Sequence, residues 1–194
     1  TRPYMYAIAQ GEVKERISQE FQNRWAYLSK NLAGGKLSKF KIFFTRYGLP
    51  TSNKLASKKY TPDLLPRAQK IGKELYAHLG IARSDRKARD NEWNNNYKFF
   101  IFFHKSLDIF ATNDAGLALE NLILSAHARG LGTCLQGAVS VWEDVIRAEY
   151  DVPNQYQLLC GLAIGYPTDS NRNTFQANRL DPKELMLNLK RSNK

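Results

Sequence analysis

A ten-residue run at positions 157–166, QLLCGLAIGY, consists almost entirely of apolar side chains. A strand with one solvated face alternates apolar and polar residues, whereas a strand covered on both faces is apolar throughout. The run therefore predicts a strand in the centre of a sheet.

Patterns in the first half of the chain predict a strand and two helices. Residues 3–9 (PYMYAIA) favour a strand that ends at a Gln-Gly turn. Apolar residues then recur at helical spacing from Glu12 until Gly34 and Gly35 end the pattern. Helical spacing returns over 64–79. A segment without periodicity, 48–66, contains three prolines and predicts an excursion on the surface.

The second half predicts a strand within 99–112 and a loop at the Asn-Asp-Ala-Gly sequence of 113–116. A helix is predicted to follow, with Gly130 at its C-terminus. Residues 131–137 (LGTCLQG) predict a short connection, 141–149 a short helix, and 182–189 a helix near the end.

The positive charge is concentrated in one segment. The net charge is +11, and the stretch from Lys30 to Lys73 contains eleven Lys or Arg residues and one acid, Asp63. Such a segment attracts nucleic acid, lipid headgroups or phosphorylated small molecules by the same Coulomb interaction. Charge alone does not choose among these partners.

Familiar catalytic and metal-binding motifs are absent from the sequence. The three histidines and two cysteines lack metal-ligand spacing, and no G-x-S-x-G, Walker or G-x-G-x-x-G sequence occurs. We therefore expect no metal site, and in an enzyme we expect a bound cofactor to carry the chemistry. The cysteine usage fits a reduced, cytoplasmic compartment.

Several segments in succession resemble one family. ENLILSAHARGLGTCLQG, a short helix, LLCGLAIGYP and NTFQANR follow one another as in the nitroreductase family, and RPYMYAIAQGEVKERI is similar to that family's first strand and helix. The resemblance covers most of 1–29 and 96–185, and GKELYAHLGIARSD resembles a subgroup with an extra segment. It implies an α+β, three-layer fold with a mixed, mainly antiparallel sheet flanked by helices. We expect a single domain over 1–194 in which 30–95 is a basic insertion.

The resemblance also implies a function. Members are homodimers with FMN at the interface, and they pass hydride from NADH or NADPH to a small electrophilic acceptor such as a nitroaromatic or a quinone. The flavin carries this chemistry, so no side chain is expected to be catalytic.

Eight site residues follow from the resemblance. The backbone N–H groups of Leu135, Gln136 and Gly137 would face flavin N5 and O4. The alternative interpretation of this segment is a plain turn without a ligand. Arg179 would bind the FMN phosphate. The alternative interpretation is that Arg179 is a solvated arginine in the C-terminal tail. The remaining candidates are Asn96 and Lys98 against the flavin pyrimidine, with Asn95 as a one-residue alternative, and Arg2 and Pro3.

Two departures from the family pattern stand out. Arg2 occupies a position where the family has glutamine. The family's arginine-rich phosphate motif before the first strand has no counterpart, and the sequence starts at Thr1 without a Met. We expect an upstream segment to supply that motif.

Alternative functions remain open. The basic segment with Phe40, Phe43, Phe44 and Tyr47 would suit a nucleic-acid-binding protein, although we expect these aromatics to be mostly core and therefore do not expect a nucleic-acid partner. The apolar residues are too evenly interrupted for a membrane span of about 20 residues, so we expect no membrane partner. A flavin-binding protein without turnover is a third reading. The basic segment itself would be either a cover that draws in anions or a solubilising surface.

Overall fold

The structure is a computed structural model that describes residues 2–51, 61–82, 85 and 99–187. The candidates Asn96 and Lys98, and the alternative Asn95, lie outside the described residues, as does part of the basic segment. Contacts divide the chain into two compact units, Thr1–Lys59 with Asp85–Thr168, and Tyr60–Ser84 with Asp169–Lys194. The prediction of a single domain stays a prediction.

The first unit contains a sheet and most of the helices. Its elements are β1 (Tyr4–Ile8), α1 (Gly11–Ala33), α2 (Lys36–Thr45), β2 (Phe99–His104), α4 (Asp108–His127), β3 (Gly132–Gln136), α5 (Glu143–Arg147) and β4 (Tyr156–Gly165). Short 3₁₀ turns cover Lys105–Leu107 and Gly137–Trp142. The second unit contains α3 (Leu65–His78), a 3₁₀ turn at Asn171–Thr174 and α6 (Pro182–Leu185).

The four strands form a sheet in the order β1-β2-β4-β3, and all three described pairings are antiparallel. The predicted central strand is confirmed as β4, which pairs with β2 on one side and β3 on the other. One row across the sheet joins Ala7, Phe100, Gly161 and Gln136. Among the described residues, β1 and β3 therefore form the two edges of the sheet.

Helices cover both faces of the sheet. On the face that we call the α1 side, α1, the 137–142 turn and α5 bury a core that includes Phe21, Phe100, Trp142 and Leu158. On the opposite face, the α4 side, α4 packs on the strands around Ile101, Ala115, Leu119 and Leu162. The predicted arrangement of helix, sheet and helix layers is confirmed. Within the part of the chain that the structure describes, no helix has both the length and the apolar character needed to cross a membrane.

Two sequence predictions in the second half are wrong. The segment 131–137 is not a plain connection, because Gly132–Gln136 is a strand that pairs with β4. The loop predicted at 113–116 is helical, since α4 begins at Asp108. Its turn-forming residues are overridden by packing, with Ala111 and Ala115 fully buried one turn apart.

The basic segment also differs from expectation. Residues 36–45 form α2, whose buried hydrophobic residue is Ile42. Phe40, Phe43 and Phe44, which we expected to be mostly core, are 61%, 76% and 78% exposed. The expectation is wrong for these three residues, because α2 contacts α1 through one side and turns its aromatic side outward.

Candidate functional site

The end of β3 brings together three of the predicted site residues. Leu135 and Gln136 are the last residues of the strand, and Gly137 begins the 3₁₀ turn that follows. Neighbouring side chains of a strand point to opposite faces. Accordingly, Leu135 is 54% exposed, whereas Gln136 is buried.

The buried carboxamide of Gln136 has an unsatisfied oxygen. Gln136 pairs directly with Gly161, so its side chain lies on the same face as the position where Gly161 lacks a Cβ, close to Val139. Among the described residues no group donates a hydrogen bond to Gln136 Oε1. A buried acceptor without a partner costs about 1–3 kcal/mol. The atom therefore indicates a donor that the described residues do not supply.

Gly137 has open space where a side chain would lie. A Cβ added at this residue meets no described atom within 4 Å, and its φ is not in the left-handed region. Its carbonyl oxygen accepts a hydrogen bond from the Ser140 hydroxyl at 2.7 Å. Nothing in the described chain thus requires glycine here, so a requirement for glycine would come from a bound molecule.

The outer side of β3 offers backbone donors. Within the described residues β3 pairs only with β4 and is an edge strand. An edge strand directs about half of its N–H and C=O groups away from its partner. These outward N–H groups, next to the exposed apolar side chain of Leu135, suit the acceptor atoms of a flat ring.

Arg2 and Pro3 lie at the opposite edge of the sheet. The Tyr156 hydroxyl donates to the Arg2 carbonyl at 2.7 Å, and the His104 N–H donates to the Pro3 carbonyl at 2.9 Å. These bonds fix the backbone, while the Arg2 side chain is exposed. Arg2 lies three strand spacings across the sheet and five residues along β1 from Gln136. The distance between the two residues is therefore about 20 Å. The structure does not bring these two groups together within one chain.

Arg179 belongs to the second unit. It is exposed in an irregular segment between the 171–174 turn and α6. Two residues later, Asp181 caps α6 by accepting from the Lys183 N–H at 2.8 Å. The guanidinium is therefore accessible to an anion, and its predicted role in phosphate binding stays a prediction.

Sequence reasoning missed an apolar stripe on α4. Phe110, Leu117 and Leu124 are 77%, 59% and 57% exposed on the side of the helix away from the sheet. Their spacing of seven residues places them along one side of a helix. This spacing is visible in the sequence, but only the structure shows that the sheet does not cover these side chains.

Comparison with known proteins identifies relatives. A family model described as "Nitroreductase family" matches residues 5–166. Nitroreductase NfnB of Mycolicibacterium smegmatis is 32% identical over 115 residues, which cover 55% of this chain and 48% of that protein. A 4-nitrobenzoate reductase of Nocardioides sp. is 29% identical over 121 residues, covering 56% and 49%. The chain thus spans about half the length of the curated relatives it matches.

Solved structures are similar in fold. One is the FMN-dependent nitroreductase NfnB from Mycobacterium smegmatis in complex with NADPH, with a TM-score of 0.73, 21% identity, and coverage of 98% of this chain and 80% of that chain. Another is the FMN and NADPH-dependent nitroreductase NfnB from Sphigopyxis sp., with a TM-score of 0.76, 21% identity, and coverage of 97% and 80%. At this identity the likeness concerns the fold.

Proposed function

Because the chain belongs to the nitroreductase family, we propose that it acts as an FMN-dependent oxidoreductase that uses NADH or NADPH to reduce a small electrophilic acceptor, such as a nitroaromatic or a quinone. The observation that carries the proposal is the end of β3, where, within the described residues, an edge strand with outward backbone donors is followed by a glycine that has open space in place of a side chain. The chemistry that FMN supplies when bound is hydride transfer between a reduced nicotinamide and the acceptor. Relatives described as FMN-dependent and in complex with NADPH support this choice of cofactor and reductant.

The chain's own residues would bind and orient the cofactor. The backbone N–H groups of Leu135, Gln136 and Gly137 that point away from β4 would donate to the ring system, and the exposed Leu135 side chain would supply apolar contact. Preorganised backbone donors of this kind stabilise negative charge where it develops. The guanidinium of Arg179 binds the phosphate, as its fork of donors suits a phosphate oxygen pair.

The remaining candidate residues belong to the same proposal. We assign Asn96 and Lys98 to the flavin pyrimidine and Arg2 and Pro3 to a contact from the β1 edge. Since Arg2 lies about 20 Å from Gln136 within one chain, a second copy of the chain is the simplest way to bring both groups to one cofactor. The site is therefore shared between two protomers.

A homodimer also explains the exposed stripe on α4. Contiguous apolar surface on a protein commonly marks an interaction site, and Phe110, Leu117 and Leu124 present such a surface along one helix. A twofold contact would pack this stripe against its own copy. We place the dimer there, and we place the protein in the cytoplasm because its cysteines, Cys134 and Cys160, are both free thiols.

The Gly137→Val variant tests the ring site. Because a Cβ at 137 meets no described atom, the variant should keep its melting temperature but lose FMN on gel filtration. Gly72→Val is the matched control, since a Cβ at Gly72 also meets nothing within 4 Å of the described residues. Full FMN retention by Gly137→Val, with an unchanged flavin spectrum, would remove the reason to place the ring at this loop.

Anaerobic reduction distinguishes an enzyme from a flavin-binding protein without turnover. The purified protein loaded with FMN should be yellow, and NADPH or NADH should bleach it. Re-oxidation by a nitroaromatic would then complete the cycle. Retained colour after the reductant is added would favour the protein without turnover, and failure to bind FMN would contradict both readings.

A second candidate function, binding of single-stranded nucleic acid, is supported by α2. Its exposed phenylalanines stand among Lys36, Lys39 and Lys41, and exposed rings next to basic side chains suit base stacking and phosphate contact. The test is fluorescence anisotropy with a labelled oligonucleotide at low and moderate salt. Replacing Phe40 and Phe44 by Ser should weaken binding, whereas Phe110→Ser should not.

A further inference from the structure

His78, at the end of α3, holds the tail of the second unit in place. Its Nε2 lies 2.8 Å from the carbonyl oxygen of Asn171 and 3.0 Å from Thr174 Oγ1. The imidazole also packs against the Phe175 ring, with centroids 5.6 Å apart. We call these contacts the His78 clasp.

The geometry defines which atom donates. A carbonyl oxygen only accepts, so Nε2 carries a hydrogen and donates to Asn171. The Thr174 hydroxyl donates to the same carbonyl at 2.8 Å, which leaves its oxygen free to accept from Nε2. One imidazole N–H thus ties the first and last residues of the Asn171–Thr174 turn to α3.

Arg179 lies between the clasp and the short helix α6. Downstream of it, Asp181 and Glu184 form a capping box at the start of α6, with the Asp181 N–H donating to Glu184 Oε1 at 3.2 Å. Arg179 follows Phe175 of the clasp by four residues, so its backbone lies within about 14 Å of that residue. The clasp therefore restricts where the Arg179 backbone can lie.

We propose that His78 is a positioning residue for phosphate binding: by holding the 171–175 segment on α3, it preorganises Arg179 for the FMN phosphate. This inference rests on the proposed role of Arg179. The physical reason is entropic, since a segment that is already ordered loses less conformational freedom when the ligand binds. His78 acts through Arg179 and does not itself contact the phosphate.

The experiment compares FMN with riboflavin, which has the ring but lacks the phosphate. Arg179→Ala should weaken FMN binding about ten- to a hundredfold, the loss expected for a charge-assisted hydrogen bond, with riboflavin unchanged. His78→Ala should weaken FMN binding about three- to tenfold, as expected for one hydrogen bond, again with riboflavin unchanged. Lys183→Ala controls for the loss of one positive charge, and Gln69→Ala for an exposed change on α3.

Two further variants separate positioning from general stabilisation. His78→Gln retains an N–H donor at a similar distance from the backbone and should restore FMN affinity. In an Arg179→Ala background, His78→Ala should cause no further loss of FMN affinity, because the two residues act as one unit. Amide hydrogen exchange in the protein without FMN should become faster over 171–181 in His78→Ala and return to normal in His78→Gln.

The failures of the two proposals are distinguishable. If Arg179→Ala discriminates between FMN and riboflavin but His78→Ala does not, the positioning role is overturned and the role of Arg179 stands. Equal losses of both ligands in His78→Ala, or additive losses in the double variant, would also overturn it. If Arg179→Ala does not discriminate, both proposals fall.

Discussion

On the α1 side of the sheet, large side chains such as Phe21, Phe100 and Trp142 are fully buried by the chain's own helices, whereas on the α4 side the covering helix leaves Phe110, Leu117 and Leu124 exposed. The α1 side also carries ion pairs. Both amino groups of the Arg24 guanidinium donate to Asp144, at 2.8 and 2.9 Å.

A second ion pair reinforces the α1 side from within. Glu143 is buried and accepts from the Arg147 Nε at 2.7 Å and from the Leu158 N–H at 3.1 Å. Arg147 in turn donates to the carbonyl of Val152. The sheet-facing core of the α1 side is thus closed by the chain's own helices, whereas the helix on the α4 side exposes an apolar stripe, which supports the proposed dimer.

The largest effect should come from the closed α1 side. Trp142→Ala removes a fully buried indole and the hydrogen bond from Nε1 to the Gly48 carbonyl at 3.1 Å. Loss of a buried aromatic costs about 3–5 kcal/mol, and urea denaturation should measure it. Phe110→Ala on the exposed stripe should change the free energy of unfolding of the protomer by less than about 1 kcal/mol. Equal losses at the two positions would remove the contrast between the faces.

The next effect concerns assembly at the α4 side. Leu117→Asp places a charge in the centre of the stripe, and burying an unpaired charge opposes association. Sedimentation should show a dimer for the original protein and a monomer for the variant, with a dissociation constant raised more than about tenfold. Phe43→Asp introduces the same charge on exposed α2 and should leave the dimer intact. A dimer that survives Leu117→Asp would place the interface elsewhere.

The sequence predicted the elements that local pattern determines. β1, α1, α3 and β4 were found where their periodicity and terminal glycines placed them. In contrast, β3 is a strand because it forms hydrogen bonds with β4. The two strands are separated by more than twenty residues in the sequence. A five-residue segment flanked by glycines carries too little pattern to show this.

The candidate site also has one part that the local sequence predicts and another that depends on the tertiary fold. That Leu135, Gln136 and Gly137 belong together was predictable, because they are neighbours in sequence. That Arg2 lies at the other edge of the sheet depends on the strand order β1-β2-β4-β3, which no local pattern encodes. The exposure of Phe40, Phe43 and Phe44 was also not predictable, because aromatic composition alone does not tell which side of a helix is covered.

A smaller effect should appear when the α1 side is acidified. Burial alone would raise the pKa of Asp144, but hydrogen bonds from Arg24 and Thr51 and the charge of Arg24 outweigh it, and the pKa is lowered. Because the pKa of Asp144 is lower in the folded than in the unfolded state, its carboxylate stabilises the fold at pH values above its unfolded-state pKa of about 4. This contribution is lost as the pH falls through the pKa that Asp144 has in the folded state. Because Asp144 is 43% exposed, solvent screening limits it to about 1 kcal/mol.

The measurement is the melting temperature from pH 7 to pH 3. Asp144→Asn should be less stable than the original protein at pH 7, and the two should converge below about pH 4. Glu12→Gln, at a side chain that is 92% exposed, controls for the loss of one carboxylate. A constant difference between Asp144→Asn and the original protein would mean that the pair with Arg24 is not responsible.

The last and smallest effect tests how well the α4 side excludes solvent despite its exposed stripe. Cys160 packs against the core of this side, and burial raises its pKa to about 11, whereas Cys134 on the edge strand is exposed. Thiolate is the reactive form, so a pKa near 11 leaves about one thiol in a thousand reactive at pH 8. Maleimide should therefore label Cys134 in the folded protein and Cys160 only when urea unfolds it, as mass spectrometry of the peptides would show. Equal labelling rates of Cys134 and Cys160 under native conditions would mean that the α4 layer opens readily. The α1 and α4 sides would then differ in stability as well as in the exposure of their outer surfaces.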